Sequence, residues 1–144
     1  MERKMIMAKK YYLISHGEYA KGLKSALEMI AGPQESVQSF CLMSGCNPND
    51  LISELMNTFD EKDEVVILGD MAGGSMCNAA MRLSLLPNVV LVSGINLPLA
   101  MEIVLTKATK KGVIDSIILN VRQSIKILSL EIGNNDSPED DLFV

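Results

Sequence analysis

The sequence predicts an α/β domain with an open, doubly wound, mostly parallel sheet that carries helices on both faces. Two features predict this fold. Short apolar runs without polar alternation recur along the chain, as expected of parallel strands that are covered on both sides. Between these runs, apolar residues recur at steps of three and four, which is typical of helices with one buried face. Strands that alternate with helices imply right-handed βαβ units.

Three strands are predicted from apolar runs and the second, at residues 37–43, from an imperfect alternation, while the helices are predicted from the periodic segments between and after the strands. The four strands are expected at residues 11–15, 37–43, 64–68 and 89–92. The helices are expected at residues 20–30, 48–56, 76–86, 97–109 and 114–124. Asn47 before Pro48 is a typical helix start, with the asparagine as cap and the proline in the first helical position. A last run, residues 125–132 (IKILSLEI), alternates well enough to predict a fifth strand.

Composition and charge narrow the class of protein. The chain has 144 residues, of which 48% are hydrophobic and 22% charged, as in one ordinary globular domain. Its net charge of -5 argues against a nucleic-acid partner, which normally requires a basic stripe. No apolar run approaches the roughly 20 residues of a membrane span, and the basic start lacks the apolar core of a signal peptide. The three cysteines, an odd number, predict a cytoplasmic protein without disulfides.

The two ends of the chain are expected to lie outside the domain. Residues 1–9 are basic and residues 133–144 are acidic, and both are interpreted as solvated tails. The domain itself is expected to span residues 10–132, with no internal repeat and no linker.

The chain offers few metal ligands. His16 is the single histidine, so a histidine-rich metal site is excluded, and Cys41, Cys46 and Cys77 lack zinc-finger spacing. We therefore expect neither a metal nor another cofactor. The three cysteines are interpreted as small core residues, because none lies in an evident electropositive surrounding.

Polar residues follow three of the predicted strands at the point where each strand ends. They are residues 15–17 (SHG) after the first strand, Asp70 with residues 73–75 (GGS) after the third, and Gly94 with Asn96 after the fourth. In an open parallel sheet, ligands bind beyond the carboxyl ends of the strands, near the point where the strand order reverses. We therefore expect these three segments to converge on one candidate site.

His16 and Asp70 are the candidate catalytic pair at this edge. An aspartate that accepts one imidazole N–H fixes the tautomer and leaves the other ring nitrogen available as a nucleophile. Gly73, Gly74 and Ser75 offer backbone N–H groups, a hydroxyl and a helix N-terminus, which together suit a phosphoryl group. Each residue taken alone also fits a simpler role: a loop histidine, an Asx turn or cap, and a glycine turn.

Two other chemistries fit the same residues less well. Ser75, His16 and Asp70 are the residue types of a hydrolase triad, but residues 73–77 (GGSMC) are not the G-x-S-x-G elbow. The order His, Asp, Ser along the chain also differs from that of the α/β hydrolases. The glycine pair is neither a dinucleotide fingerprint nor a Walker loop, which needs a lysine before the serine or threonine. A small hydrolase stays an alternative hypothesis, whereas nucleotide binding is rejected as the first interpretation.

Four segments resemble a known family in their residues and in their order. They are residues 15–17 (SHG), 22–32 (GLKSALEMIAG), 69–80 (GDMAGGSMCNAA) and 94–98 (GINLP). Together they resemble the enzyme IIA domain of the mannose-family sugar phosphotransferase system. The resemblance covers about residues 9–132, which is essentially the whole predicted domain.

The resemblance implies a phosphocarrier and gives the candidate residues their roles. His16 would accept a phosphoryl group from the phosphocarrier HPr on its Nε2 nitrogen and pass it to an enzyme IIB partner, which phosphorylates a sugar during uptake. Asp70 would hydrogen-bond the other ring nitrogen. Ser75 would contact the phosphoryl oxygens, beside Gly73 and Gly74. Association with the membrane components IIC and IID would be indirect.

The resemblance also implies a homodimer in which the C-terminal strand, residues 125–132, is exchanged between subunits. The chain departs from many relatives at Ala72, Met76 and Cys77, where an aromatic residue, a proline and an aromatic residue are common. These positions lie on the rim of the expected site, so they leave partner preference open. The acidic tail is too short for a IIB domain, so we expect a separate IIB chain. Two related functions stay open: the phosphoryl-donor subunit of a dihydroxyacetone kinase, and a regulatory module that senses phosphorylation.

Overall fold

Four strands form the sheet in the computed structural model, which describes residues 6–132. In chain order they are β1 (Lys9–His16), β2 (Val37–Leu42), β3 (Glu64–Gly69) and β4 (Val89–Val92). Their order across the sheet is β2-β1-β3-β4, and every neighbouring pair is parallel. The strand order reverses between β1 and β3, which are the two central strands. The predicted open, parallel α/β fold is confirmed.

Helices connect the strands and cover both faces of the sheet. They are α1 (Tyr19–Ala31), α2 (Pro48–Met56), α3 (Ser75–Ala80), α4 (Leu97–Leu105) and α5 (Lys111–Val121), with short 3-10 helices at Met81–Leu85 and Arg122–Ser124. The first of these 3-10 helices follows α3 directly. The segment predicted as one helix at residues 76–86 is therefore divided between α3 and this 3-10 helix. α1, α4 and α5 pack on one face, and α2 and α3 pack on the other.

The side chains of β1 contribute to the hydrophobic cores on both faces of the sheet. Tyr11 and Leu13 pack on the side of α1, α4 and α5, whereas Tyr12 and Ile14 pack on the side of α2 and α3. All four are buried, because successive side chains of a strand point to opposite faces and both faces are covered here. The Tyr11 hydroxyl still donates to the carbonyl oxygen of Ala108 at 3.1 Å. The strand that leads to the candidate site is thus fixed from both sides.

Asp63 anchors the amino end of the sheet, opposite the candidate site. It is 5% exposed, and its Oδ2 accepts hydrogen bonds from Lys10 Nζ at 3.0 Å and from the N–H of Asp60 at 3.1 Å. Its Oδ1 accepts the N–H of Ala8 at 3.2 Å. Burial raises the pKa of Asp63, but these hydrogen bonds outweigh burial and hold the pKa below its ordinary value. The ionised carboxylate therefore ties the start of β1 to the turn before β3.

The helix predicted at residues 97–109 ends earlier, at Leu105. The chain leaves the helix through a Schellman motif, in which the residue after the cap takes the left-handed conformation. Here that residue is Lys107, with φ of 56°, and the N–H of Ala108 donates to the carbonyl oxygen of Ile103 at 3.1 Å. Glycine usually occupies this position, so a lysine there does not indicate the end of a helix.

Residues 125–132 do not form the predicted fifth strand within this chain. They follow the 3-10 helix Arg122–Ser124 and pair with none of the described strands. Their apolar side chains stay exposed, Ile127 to 95%, because none of the residues that the structure describes covers them. Exchange of this segment between subunits stays a prediction. Both predicted tails, residues 1–9 and 133–144, fall largely outside the described residues, so their boundaries also stay predictions.

Candidate functional site

The carboxyl ends of β1 and β3 lie side by side at the point where the strand order reverses. Ile14 and Gly69 are register partners, and the N–H of Asp70 donates to the carbonyl oxygen of Ile14 at 3.1 Å. β1 continues beyond this pair to His16, which is aligned with Leu42 of β2. The register therefore brings His16 beside Asp70, in the crevice where ligands bind in open parallel sheets.

One carboxylate oxygen holds His16 at two points. Asp70 Oδ2 accepts a hydrogen bond from the backbone N–H of His16 at 2.8 Å, and it lies 2.8 Å from Nδ1 of the imidazole. Asp70 Oδ1 accepts the backbone N–H of Met71 at 2.9 Å. The His16 side chain is 45% exposed and that of Asp70 only 13%. The carboxylate is thus enclosed by donors, while the imidazole keeps one edge open to solvent.

The protonation of Asp70 determines which ring nitrogen can react. Burial raises the pKa of Asp70, but hydrogen bonds from the His16 backbone, the His16 ring and the Met71 N–H outweigh burial and lower it. Asp70 is therefore ionised at neutral pH and can only accept hydrogen bonds. A neutral His16 then carries its proton on Nδ1, which leaves the lone pair on Nε2.

Ser15 fixes the turn that presents His16. Its side chain is fully buried, and its Oγ accepts the N–H of Ala20 at 2.7 Å and donates to the carbonyl oxygen of Gly17 at 3.3 Å. Gly17 has a φ of 54°, which glycine adopts readily, and its N–H donates to the carbonyl oxygen of Leu42 at 2.8 Å. The residues before and after His16 are thus held by the fold itself.

The glycine pair of residues 73 and 74 lies against the imidazole. A Cβ on Gly74 would stand 2.8 Å from Cε1 of His16 and 3.0 Å from Cγ of Met71. Gly73 has a φ of 82°, and Ser75 begins α3 directly after Gly74. The structure therefore brings together all five predicted site residues: the His16 and Asp70 pair and the start of α3.

The third predicted segment, after β4, lies at the same edge, but its polar groups serve the fold. Asn96 caps α4, because its Oδ1 accepts the N–H of Leu99 at 3.0 Å. The Tyr19 hydroxyl donates to the carbonyl oxygen of Ile95 at 2.7 Å and so ties this loop to α1. Gly94 turns the chain with a φ of 78°.

The loop at residues 43–47 borders His16, although the sequence analysis did not assign it to the site. It forms, with His16, Gly17 and Leu42, an open depression of about 500 Å³. Met43 and Cys46 in this loop are exposed. The sequence could have indicated this position, because the loop follows the carboxyl end of β2 and therefore lies at the same edge of the sheet as His16.

Cys77 packs beneath the strand end that carries Asp70. A side chain on Gly69 would collide with Sγ of Cys77. Burial raises the pKa of the Cys77 thiol, so it stays protonated at neutral pH and acts as a small packing group. The interpretation of the cysteines as core residues fits Cys77, is partly met by Cys41, and is wrong for the exposed Cys46.

Residues 6–132 contain no cluster of three or more histidine, cysteine or carboxylate side chains placed to hold a metal ion. In the same part of the chain, no helix has the length and apolar character that crossing a membrane requires.

A protein-family model named EIIA-man and described as the fructose IIA component of the PTS system matches residues 11–118. The chain belongs to this family. The match spans well over half of the 144 residues and confirms the resemblance to mannose-family enzyme IIA.

Solved structures of similar proteins agree with this assignment. The phosphotransferase system component EIIA from Streptococcus agalactiae is 29% identical, with a TM-score of 0.74 over 83% of this chain and 96% of its own. The PTS IIA protein associated with the fucose utilization operon of Streptococcus pneumoniae is 27% identical, with a TM-score of 0.68 over 84% and 93%. The mannose/sorbose-specific IIA subunit from Enterococcus faecalis, 20% identical, shares the fold with a TM-score of 0.79 over 89% and 100%. As an enzyme IIA, the chain has a phosphocarrier role in a sugar phosphotransferase system.

Proposed function

We propose that this enzyme IIA carries the phosphoryl group on Nε2 of His16, taking it from phospho-HPr and passing it to an enzyme IIB partner during sugar uptake. The observation that carries the proposal is the double contact of His16 with Asp70 Oδ2, at 2.8 Å from both the backbone nitrogen and Nδ1. It leaves Nε2 as the nitrogen with an available lone pair. The 45% exposure of the His16 side chain supports access by another protein.

The transfer step requires little covalent machinery. The Nε2 lone pair of His16 attacks the phosphorus of the phosphohistidine on HPr; the new N–P bond forms, the old one breaks, and its electron pair stays on the HPr imidazole. The His16 ring then carries a positive charge, which the Asp70 carboxylate stabilises through Nδ1–H. In the second transfer, a nucleophile of IIB takes the phosphoryl group and the electron pair returns to Nε2. Positioning and electrostatic support therefore dominate the catalysis.

We assign the phosphoryl oxygens to Gly73, Gly74 and Ser75. The first backbone N–H groups of α3, which begins at Ser75, have no acceptor within the helix. Gly74 packs on Cε1 of His16, the ring atom between the two nitrogens, so the start of α3 is close to the reacting atom. The Ser75 hydroxyl would add a further donor to the phosphoryl oxygens.

The proposal includes a homodimer in which residues 125–132 are exchanged. The apolar side chains of this segment are exposed in the single chain: Ile125, Ile127, Leu128, Leu130 and Ile132. Among the strands that the structure describes, β4 is at the edge and pairs with β3 alone, so its other side offers unpaired backbone groups to an incoming strand. Pairing there would remove the apolar side chains from water.

The location of the protein and its other partners follow from the proposed phosphocarrier role. We place the transfer in the cytoplasm, where HPr and IIB act, and we expect only indirect association with the membrane components IIC and IID. The net charge of -5 supports a protein partner rather than nucleic acid. The chemistry uses no cofactor and no metal.

The decisive experiment is phosphorylation of the purified protein with phosphoenolpyruvate, enzyme I and HPr from the same source. Wild type is expected to take up one phosphate per chain, labile in acid and stable in base, as a phosphohistidine is. His16→Ala is expected to take up none while it keeps its circular dichroism spectrum. Addition of the cognate IIB should then discharge the labelled wild type.

Other outcomes would point to the alternative functions. A folded wild type that takes up no phosphate would favour a regulatory module that senses the phosphorylation of other components. Label that passes to a dihydroxyacetone kinase and not to IIB would favour the donor subunit of that kinase. Ester hydrolysis that is lost in Ser75→Ala would favour the hydrolase.

A further inference from the structure

The loops at the carboxyl edge of the sheet carry almost no charge. They lie after β1 to β4, at residues 17–18, 43–47, 70–74 and 93–96. They contain no lysine or arginine, and apart from Asp70, which is bonded to His16, their single charged residue is Glu18. Lys21 in the first turn of α1, Asp50 in the first turn of α2 and Arg122 after α5 flank these loops but are not part of them. The surface around His16 therefore offers little charge to a partner.

Two exposed methionines flank His16 at this edge. Met43 follows β2 and Met71 follows β3, and β1, which ends at His16, lies between those two strands. Met43 lines the same depression as His16, and Met71 packs on the same side of Gly74 as the imidazole does. Both side chains are about half exposed, at 45% and 55%. We call Met43 and Met71 the methionine rim.

We propose that the methionine rim is the docking surface for the phosphoryl-donor protein, and that this protein presents apolar side chains beside its phosphohistidine. The inference rests on the proposed function, because it concerns the protein that delivers the phosphoryl group to Nε2 of His16. Apart from Asp70, the loops contain one charged residue, Glu18, so ionic attraction is small and apolar contact is the main attraction that they can provide. Methionine suits this role because its flexible side chain adapts to different surfaces.

The test measures phosphoryl transfer from phospho-HPr to His16 as a function of phospho-HPr concentration. In the double variant Met43→Gln/Met71→Gln, amides of similar length replace the thioethers without adding charge. We expect its KM for phospho-HPr to rise by at least about tenfold, because two apolar contacts are lost and two amides are buried. Met29→Gln, at an 86% exposed methionine near the far end of α1, is the matched control and should keep the wild-type KM. The wild-type KM should change less than about threefold between low and high salt.

Phosphoramidate, a small phosphoryl donor that needs no docking, separates this proposal from the proposed function. The double variant should still be labelled by phosphoramidate at His16 to the wild-type end point, which shows that its nucleophile is intact. If the double variant has the same KM for phospho-HPr as wild type, the docking proposal is overturned but the proposed function is not. The same holds if the KM of the wild-type protein rises more than about tenfold with salt. A wild type that phosphoramidate labels but phospho-HPr does not would overturn the proposed function, and the docking surface with it.

Discussion

Gly74 packs directly against the imidazole of His16. A Cβ on residue 74 would stand 2.8 Å from Cε1 of the ring, well inside ordinary van der Waals contact. The backbone of Gly74, with φ of -80° and ψ of 164°, would suit any residue. The ring, and not the backbone conformation, is therefore what requires glycine at this position.

Gly74→Ala is expected to slow phosphoryl transfer to His16 by about ten- to a hundredfold, because the added methyl must displace the imidazole or the turn. The measurement is the single-turnover rate of labelling by phospho-HPr. Gly22→Ala is the matched control, since a Cβ there meets no atom within 4 Å and the helix α1 should gain roughly 0.5–1 kcal/mol of stability. Wild-type transfer by Gly74→Ala would show that the contact has no influence on the ring.

Asp70→Asn is expected to slow transfer by at least about a hundredfold without unfolding the domain. An amide lacks the negative charge that stabilises the charged imidazole, and its orientation can leave Nδ1 without an acceptor. Labelling kinetics and circular dichroism measure the two effects. Asp50→Asn, at the first turn of α2, controls for the loss of a surface carboxylate. Retention of the wild-type rate in Asp70→Asn would remove Asp70 from the site.

Asp63→Asn is expected to lower the free energy of unfolding at pH 7 by about 1–3 kcal/mol, since the hydrogen bonds to a charged acceptor are weakened. The pKa of Asp63 is lower in the folded protein than in the unfolded chain. Its contribution is therefore present above the unfolded pKa of about 4 and is lost as pH falls through the folded pKa. Urea denaturation should show the same difference from wild type at pH 7 and pH 5 and a smaller difference at pH 3. With the exposed Asp115→Asn as control, a difference independent of pH would contradict this account.

Ile127→Asp is expected to shift the protein from dimer to monomer in sedimentation velocity experiments. The residue is 95% exposed in the single chain, so the substitution costs the isolated fold little, but a charge would be buried in an exchanged dimer. Leu85→Asp, at an exposed leucine in the 3-10 helix after α3, should leave the dimer intact. A wild type that is monomeric at high concentration would argue against strand exchange.

Local patterns in the sequence were sufficient for most of the fold. The apolar run at Val89–Val92 coincides with β4, and Asn47 caps α2 through a hydrogen bond from the N–H of Asn49, as the Asn-Pro pair predicts. The end of α4 could not be foreseen, because Lys107 takes a conformation that its residue type rarely adopts. Residues 125–132 alternate like a strand, but pairing depends on a partner that a single chain does not supply.

The candidate site was predictable where chemistry restricts the residue type. A histidine and an aspartate at the ends of two predicted strands suggested one candidate site, and the family resemblance paired them; the structure places His16 beside Asp70. The sequence could place Met43 and Met71 at this edge of the sheet but not on either side of His16, because which loops are neighbours depends on the strand order. The order β2-β1-β3-β4 is what places these methionines on either side of the imidazole.

β3 separates two aspartates with different tasks: Asp63 precedes it and Asp70 follows it. A strand of six residues holds the two carboxylates roughly 16 Å apart or more, far enough for the effects of substitutions at the two ends to add independently. Substitutions near Asp63 can therefore change thermal stability while the rate of phosphoryl transfer at the opposite edge of the sheet stays the same. A relative adapted to a hotter habitat could remodel the amino edge of its sheet and still exchange phosphate with the same partners.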